Sequence, residues 1–324
     1  MEQHSPSRNF GLDLVRVTET TALAAARWTG SGNYEEAHRA ASRAMSSALG
    51  TLDINGHVVI GEDGRTGTPY SLQSGASVGT GNGPELDVVV DPIDGTDLVI
   101  KGRPNAISVV GMAPRGSMWS PVPAIYMEKI VVDREAAEAL VPECMDAPAA
   151  WTLALIARVK KKAVRDMTVI MLDRPRHQDL IEEIRTAGAR IILRDEGDAE
   201  GALLAATVES GVDILMGIGG ASQGVIAACA VKAMGGAMLA RLSPQDAEER
   251  AAVRQAGLDM DAILSADQLV KSDEIFFAAT GITNSVLMAP VRFSSSHAET
   301  YSLLLRSETG TRRFIRAEHA TRFW

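Results

Sequence analysis

Apolar positions recur at helical spacing near the start of the chain. Leu12, Leu14, Val15, Val17, Leu23, Ala26 and Trp28 share one face over residues 11–29, and Gly30 follows as a stop. After the turn at Gly30-Ser31-Gly32-Asn33, residues 34–49 predict a second helix, polar at its start and rich in small residues after Ala40. The period then shortens. Residues 57–60 predict a short buried strand, and residues 62–84 are mostly loop because they are poor in apolar side chains and rich in Gly, Ser and Thr. Leu86-Asp87-Val88-Val89-Val90 is a β-branched run of buried-strand type, with further strands at 106–112 and 124–132.

Beyond residues 150–165 strands and helices alternate. Strands are expected at 168–172, 191–193, 214–217 and 238–242, with helices starting at 176, 198 and 221. That rhythm predicts a doubly wound sheet. The segment 151–162, helical and basic at its end, reads as a bridge between halves, and two β-rich pieces at 275–280 and 301–318 close the chain. With 324 residues the expected organisation is two α/β domains, 1–155 and 156–324.

Composition narrows the function. Apolar residues make up 46% and charged residues 23%, as in a soluble globular chain, and aromatics only 4%. The net charge of −9 argues against a general nucleic-acid or anionic-membrane binder. Cys144 and Cys229 sit in no metal or redox spacing, so a reducing compartment is expected. There is no transmembrane-length apolar run, and residues 1–9 lack the order of a signal peptide, so the expected location is the cytoplasm.

The chemistry concentrates in Asp91-Pro92-Ile93-Asp94-Gly95-Thr96. Two carboxylates follow a buried strand, with Pro92 fixing the backbone between them. Such a strand end can aim oxygen ligands at a hard cation and leave the Thr96 hydroxyl for a phosphate or a water. An Asx-type turn is the alternative reading. Glu62, at the end of another strand, would complete an acidic set. The Gly-rich run from Gly217 to Gly224 opens a helix and can receive an anion or merely serve close packing. Arg174, Arg176 and His177 lie at a strand end where α/β sites collect, although His177 alone reads as a surface cap. Lys129 continues an alternating strand and can equally be an exposed edge lysine. Arg312, Arg313 and Arg316 read as a solvated strand face, and the methionines as core filler.

The six-residue segment matches the D-P-[IL]-[DE]-G-T signature of the lithium-sensitive sugar and inositol phosphatases, and the chain more narrowly resembles class II fructose-1,6-bisphosphatase. The supporting pieces run in family order from about residue 14 to about residue 317. They are Arg16-Val17-Thr18-Glu19, Val58-Val59-Ile60-Gly61-Glu62, Lys101-Gly102-Arg103-Pro104-Asn105-Ala106-Ile107-Ser108, Tyr126-Met127-Glu128-Lys129, Arg174-Pro175-Arg176-His177, Gly217-Ile218-Gly219-Gly220-Ala221 and Ala279-Thr280-Gly281-Ile282-Thr283. The resemblance implies a layered α/β sandwich, Mg²⁺ or Mn²⁺, a homo-oligomer, and removal of the 1-phosphate of fructose 1,6-bisphosphate. In photosynthetic relatives sedoheptulose 1,7-bisphosphate is also used. It places the metal on Glu62, Asp91 and Asp94, the attacking water at Thr96, and the sugar phosphate against Tyr126, Arg174, Arg176, Glu196, Asp198 and Gly220.

The chain departs from the family pattern at several acidic positions. The family's Gly-Asp-Lys reads Gly32-Asn33-Tyr34, its A-P-E-G reads Ala221-Ser222-Gln223-Gly224, and its G-E-G-E reads Gly61-Glu62-Asp63-Gly64. Its D-G-D reads Glu196-Gly197-Asp198, and Asp94 stands where many members have Glu. Asn33 and Gln223 can offer a cation only neutral oxygens. Because affinity follows ligand charge, weaker or fewer metal sites are expected. Two other readings stay open: a phosphatase for a different phosphosugar, and a non-catalytic phosphosugar-binding relative.

Overall fold

The computed structural model describes residues 10–63 and 67–320. Residues 1–9, on which the signal-peptide expectation rests, and Gly64 lie outside them. The chain opens with helices α1 (Gly11–Ala26) and α2 (Tyr34–Leu49). Strands β1 (Asn55–Ile60), β2 (Ser77–Val78) and β3 (Glu85–Asp94) follow, then the short helix α3 (Thr96–Ile100), β4 (Ile107–Pro114) and β5 (Tyr126–Val132). The middle contains α4 (Ala149–Val159), β6 (Thr168–Leu172), α5 (Gln178–Thr186), β7 (Arg190–Arg194), α6 (Asp198–Ala205), β8 (Ile214–Gly220), α7 (Ala221–Ala233) and β9 (Ala237–Leu242). The chain ends with α8 (Ala247–Gln255), β10 (Leu264–Ser265), α9 (Ala266–Leu269), β11 (Phe276–Gly281), β12 (Arg292–Phe293), β13 (His297–Arg306) and β14 (Thr311–Ala320).

The strands form two sheets, giving the layered α/β architecture. The first runs β12-β13-β11-β4-β3-β1-β2, with β14 on the other side of β13, and the second runs β10-β9-β5-β8-β6-β7. Sheet membership does not follow the expected boundary at residue 155. β5 belongs to the second sheet, and β11 to β14 return to the first. The second sheet is doubly wound only in part. β6 pairs parallel with β7 and β8, whereas β5 inserts antiparallel between β8 and β9.

Helices α6 and α7 lie between the sheets, and one core cluster joins Val89 and Val109 of the first sheet to Met127 and Val131 of the second through Val225, Ile226 and Val231. A helix pressed on both sides must be apolar all round. α7 meets that demand with Ala, Gly, Cys, Val and Ile, and nearly all its residues are buried. Gly224 leaves room for Met127, whose sulfur a Cβ there would strike. α1 and α2 cover the outer face of the first sheet, and α4 and α5 pack on the second. α4 is thus an outer-layer helix rather than a bridge between halves.

Some sequence expectations needed local correction. The first helix ends three residues early, at Ala26, and the β-rich piece at 301–318 is a hairpin whose turn contains Gly310 at positive φ. Lys129 is 1% exposed, not an edge lysine, and His177 is buried, not a surface cap. The His177 Nδ1 faces the Leu172 carbonyl at 2.7 Å, and the Ile218 amide donates to Nε2 at 2.8 Å. This fixes a neutral ring with its proton on Nδ1, and burial lowers its pKa accordingly.

Cys144 and Cys229 are both buried and not disulfide-bonded. Burial pushes the Cys229 thiol up to about 12, and only the thiolate is nucleophilic. The folded protein should therefore leave both thiols unmodified by Ellman's reagent, with both reacting once guanidinium unfolds the chain. Titration of Cys229 in native protein would contradict the packing of α7.

Candidate active site

The parallel pairing of β1 with β3 brings both strand ends to one sheet edge. At that edge β3 runs into Asp91 and Asp94, and the register against β4 shifts between them. Gly95 then adopts φ 98°, a left-handed conformation that suits glycine, and α3 begins at Thr96. From the other sheet, the end of β6 supplies Arg174, the start of α6 supplies Asp198, and the β8–α7 junction supplies Gly220 and Gln223. These groups meet around a pocket of about 190 Å³ lined by Asp91, Asp94, Thr96, Arg174, Glu196, Asp198, Gly220 and Gln223. Tyr34, Ile93, Gly95, Leu172 and Gly197 complete the wall.

Asp94 is the tie between the layers. Its Oδ2 accepts from the amides of Ala199 at 3.0 Å and Glu200 at 3.1 Å, at the start of α6. A carboxylate there satisfies amides that the helix leaves without partners and complements its dipole. Burial, followed by the neighbouring Asp91 charge, nevertheless holds the Asp94 pKa well above the usual carboxylate range. Glu196 is tied similarly, its Oε2 accepting from the Asp97 amide at 3.1 Å.

Lys129 reaches the same corner from β5. Its Nζ donates to Asp198 Oδ2 at 2.6 Å and to the Gly220 carbonyl at 3.2 Å. Asp198 crosses so close over β8 that a Cβ at Gly219 would collide with its carboxylate. A Cβ at Gly220 would likewise collide with the Gln223 carboxamide. The Gly-rich run is therefore needed at these two positions for close approach.

The predicted substrate residues divide into two groups. Thr96, Arg174, Glu196, Asp198 and Gly220 line the pocket; Tyr126 and Arg176 do not. Arg176 lies over the Tyr126 ring at 4.9 Å and donates through Nη2 to the Ile218 carbonyl at 2.8 Å. Sequence reasoning missed Tyr34 and the pairing of Lys129. A signal for the latter existed: Met127, Lys129 and Val131 alternate onto one face, which places the lysine among core residues.

Of the residues expected to hold metal, Asp91, Asp94 and Gln223 line the pocket, and Glu62 and Asn33 do not. Glu62 does not line the pocket, and its Oε2 lies 3.6 Å from His38 Nδ1 on α2. Asn33 caps α2, its Oδ1 accepting from the Glu36 amide at 3.2 Å. Gln223 donates from Nε2 to Asp91 Oδ2 at 3.0 Å, and Asp91 Oδ1 accepts from the Ile93 amide at 3.1 Å. Among the described residues, no group of three or more His, Cys, Asp or Glu side chains is placed to hold a metal ion. An amide donating into Asp91 stands where a cation would need a carboxylate oxygen. With oxygens of Asp91 and Asp94 engaged by N–H donors, this arrangement offers a divalent ion fewer free carboxylate oxygens than three converging acids would.

Two predictions follow from these contacts. Lys129→Met should destabilise the fold by about 3–5 kcal/mol because it strands a buried carboxylate, while Lys129→Met with Asp198→Leu should regain most of the loss. Urea melts of the three proteins test this. Glu200, beside Arg194 at 3.4 Å, has its carboxyl pushed up to about 7 from an ordinary 4.5, chiefly by burial. The folded chain therefore keeps a proton that the unfolded chain releases, and this contribution to stability falls as pH rises from 4.5 to about 7. Glu200→Gln should flatten the dependence of Tm on pH across that window.

Comparison with known proteins accounts for this combination of motifs. Residues 8–319 match the family described as bacterial fructose-1,6-bisphosphatase, glpX-encoded. The chain is 36% identical to a D-fructose 1,6-bisphosphatase class 2/sedoheptulose 1,7-bisphosphatase of Synechococcus sp. (strain JA-3-3Ab), covering 96% of this chain and 95% of the relative. It is 35% identical to the fructose-1,6-bisphosphatase class 2 of Haemophilus influenzae, covering 97% and 96%. The chain belongs to the glpX-type bacterial fructose-1,6-bisphosphatase family.

Proposed function

We propose that this protein is a phosphoric monoester hydrolase that removes the 1-phosphate of a sugar bisphosphate such as fructose 1,6-bisphosphate. The observation that carries this reading is the pocket itself. It gathers Asp91, Asp94 and Thr96 from one strand end with Arg174, Asp198 and Gly220, which lie far along the chain. The Arg174 guanidinium supplies a charged fork for phosphate oxygens, and the pocket opens at the first turn of α7, where helix amides favour an anion. Thr96 positions the attacking water. Asp91 accepts its proton as the water oxygen bonds to phosphorus and the bond from phosphorus to the sugar oxygen breaks, and that oxygen takes up a proton from solvent to leave as the alcohol. Asp94 and Lys129 act through position, holding α6 and Asp198 against the pocket.

Members of this family are metal-dependent, and we propose Mg²⁺ or Mn²⁺ as the ion here, bound weakly. The Gln223 amide competes for Asp91, and Asn33 adds no charge. The lost acidic positions also support a second reading, a phosphatase for a different phosphosugar. The protein is further proposed to be a cytoplasmic homo-oligomer. Its two buried, unbridged cysteines suit a reducing compartment, and among the described residues no helix is long and apolar enough to cross a membrane.

Phosphate release from hexose, heptose and cyclitol phosphates with Mg²⁺ or Mn²⁺ tests the proposal. Fructose 1,6-bisphosphate should be hydrolysed, Asp91→Ala should abolish release, and Arg174→Ala should raise KM about 10- to 100-fold. Release unaffected by Asp91→Ala would overturn the assignment, and strong preference for another phosphosugar would favour the second reading. Calorimetric titration with Mn²⁺ should show tighter binding to Gln223→Glu than to the parent. Equal binding would remove Gln223 as the cause of weak affinity.

A further inference from the structure

We infer that β14 is the interface at which two copies of this chain join, edge to edge and antiparallel, continuing the first sheet across a two-fold axis. The inference rests on the homo-oligomeric reading above and is independent of the phosphatase assignment. β14 is ten residues long, and among the described residues it pairs only with β13. Its outer edge therefore offers a long row of backbone donors and acceptors, and an edge of that kind is a template for another strand.

The side chains name the partner. Arg312, Phe314, Arg316 and Glu318 share the more exposed face, with Phe314 56% exposed. When two copies of β14 lie antiparallel with Ile315 opposite Ile315, Arg312 of each copy faces Glu318 of the other, and Phe314 faces Arg316. This register uses the strand from Thr311 to His319. A shift of two residues one way sets Arg312 against Arg316, and the other way sets Phe314 against Glu318. Opposite charges directly across a strand pair stabilise it, and like charges do the reverse.

Within one chain Glu318 also has an unfavourable neighbour. It lies directly across from Glu299 on β13, and Arg316 serves both carboxylates, at 2.7 Å from Glu299 and 3.6 Å from Glu318. Glu299 also faces Arg292 directly across β12 and has His297 at 3.8 Å, so Glu318 is the acid that depends on the longer contact to Arg316. Arg312, which in its own chain lies opposite Leu305 and over the Phe314 ring at 5.5 Å, can stand directly across from Glu318 only when it comes from another copy. Charges on an edge ordinarily discourage pairing. Here their order reads as its own complement when reversed, which selects a second copy of this chain over other strands.

The test is charge reversal read by light scattering coupled to gel filtration. The parent should be a dimer or an even multiple of one. Arg312→Glu and Glu318→Arg should each weaken the association at least tenfold, and the double variant Arg312→Glu with Glu318→Arg should restore it, because both pairs reform with signs exchanged. Since residues 312 and 318 are far apart along one strand, rescue within a single chain is not available. A second measurement covers any variant that folds poorly: Ile315→Cys should form a disulfide-linked dimer under mild oxidation, as the two positions meet on the axis. A monomeric parent, single reversals without effect, a double variant no better than the singles, or no cross-link at position 315 would each overturn the interface. Phosphate release from the same samples reports separately on the enzyme.

Discussion

Two sheets share one layer of helix between them, and that constraint sets much of what the chain contains. A helix clamped from both sides can display no polar stripe and little bulk. α7 is accordingly built mainly from Ala, Gly, Val, Ile and Cys, with Ser222 and Gln223 in the turn that opens into the pocket and Lys232 in the last turn, where it pairs with Asp267 and Asp273. The apolar composition of α7 and the polar character of its first turn thus have one origin: the helix is sealed along its length and meets the pocket only at its start.

The architecture was largely legible because its signals are periodic. Buried strands with β-branched runs, such as β3, and helices followed by glycine stops declare themselves locally. The sheet membership of β5 and β11–β14 did not, because strand pairing depends on contacts far apart in sequence. The hairpin of β13 and β14 read as one segment for a related reason: its turn is only a few residues long and sits between two equally β-prone stretches. Lys129 shows the limit for single residues. Alternation gave its face, but only the approach of Asp198, from α6, explains why a lysine is tolerated among core residues.

The site was legible in its motif and less so in its chemistry. Asp91, Asp94 and Thr96 gather with Arg174 and Asp198 as the family pattern implies, while Tyr126 and Arg176 stack on each other beside the pocket. Asn33 and Gln223, the two amides where the resemblance implies acids, behave differently. Asn33 is a helix cap, a role open to any side chain with a short acceptor. Gln223 remains in the pocket wall and turns its donor toward Asp91. One amide thus serves the local fold of α2, and the other bears on the electrostatics of the pocket.

The return of β11 to a place beside β4 bears on how the chain matures. While the protein is still emerging from the ribosome, β3 and β4 can pair, but the far side of β4 has no neighbour until Phe276 and the residues after it have been made. The nascent chain must therefore carry a bare strand edge while the stretch from Pro114 to Phe276 is made. Shelter for that edge, from a chaperone or from α1 folding early across it, would guard against aggregation until β11 arrives.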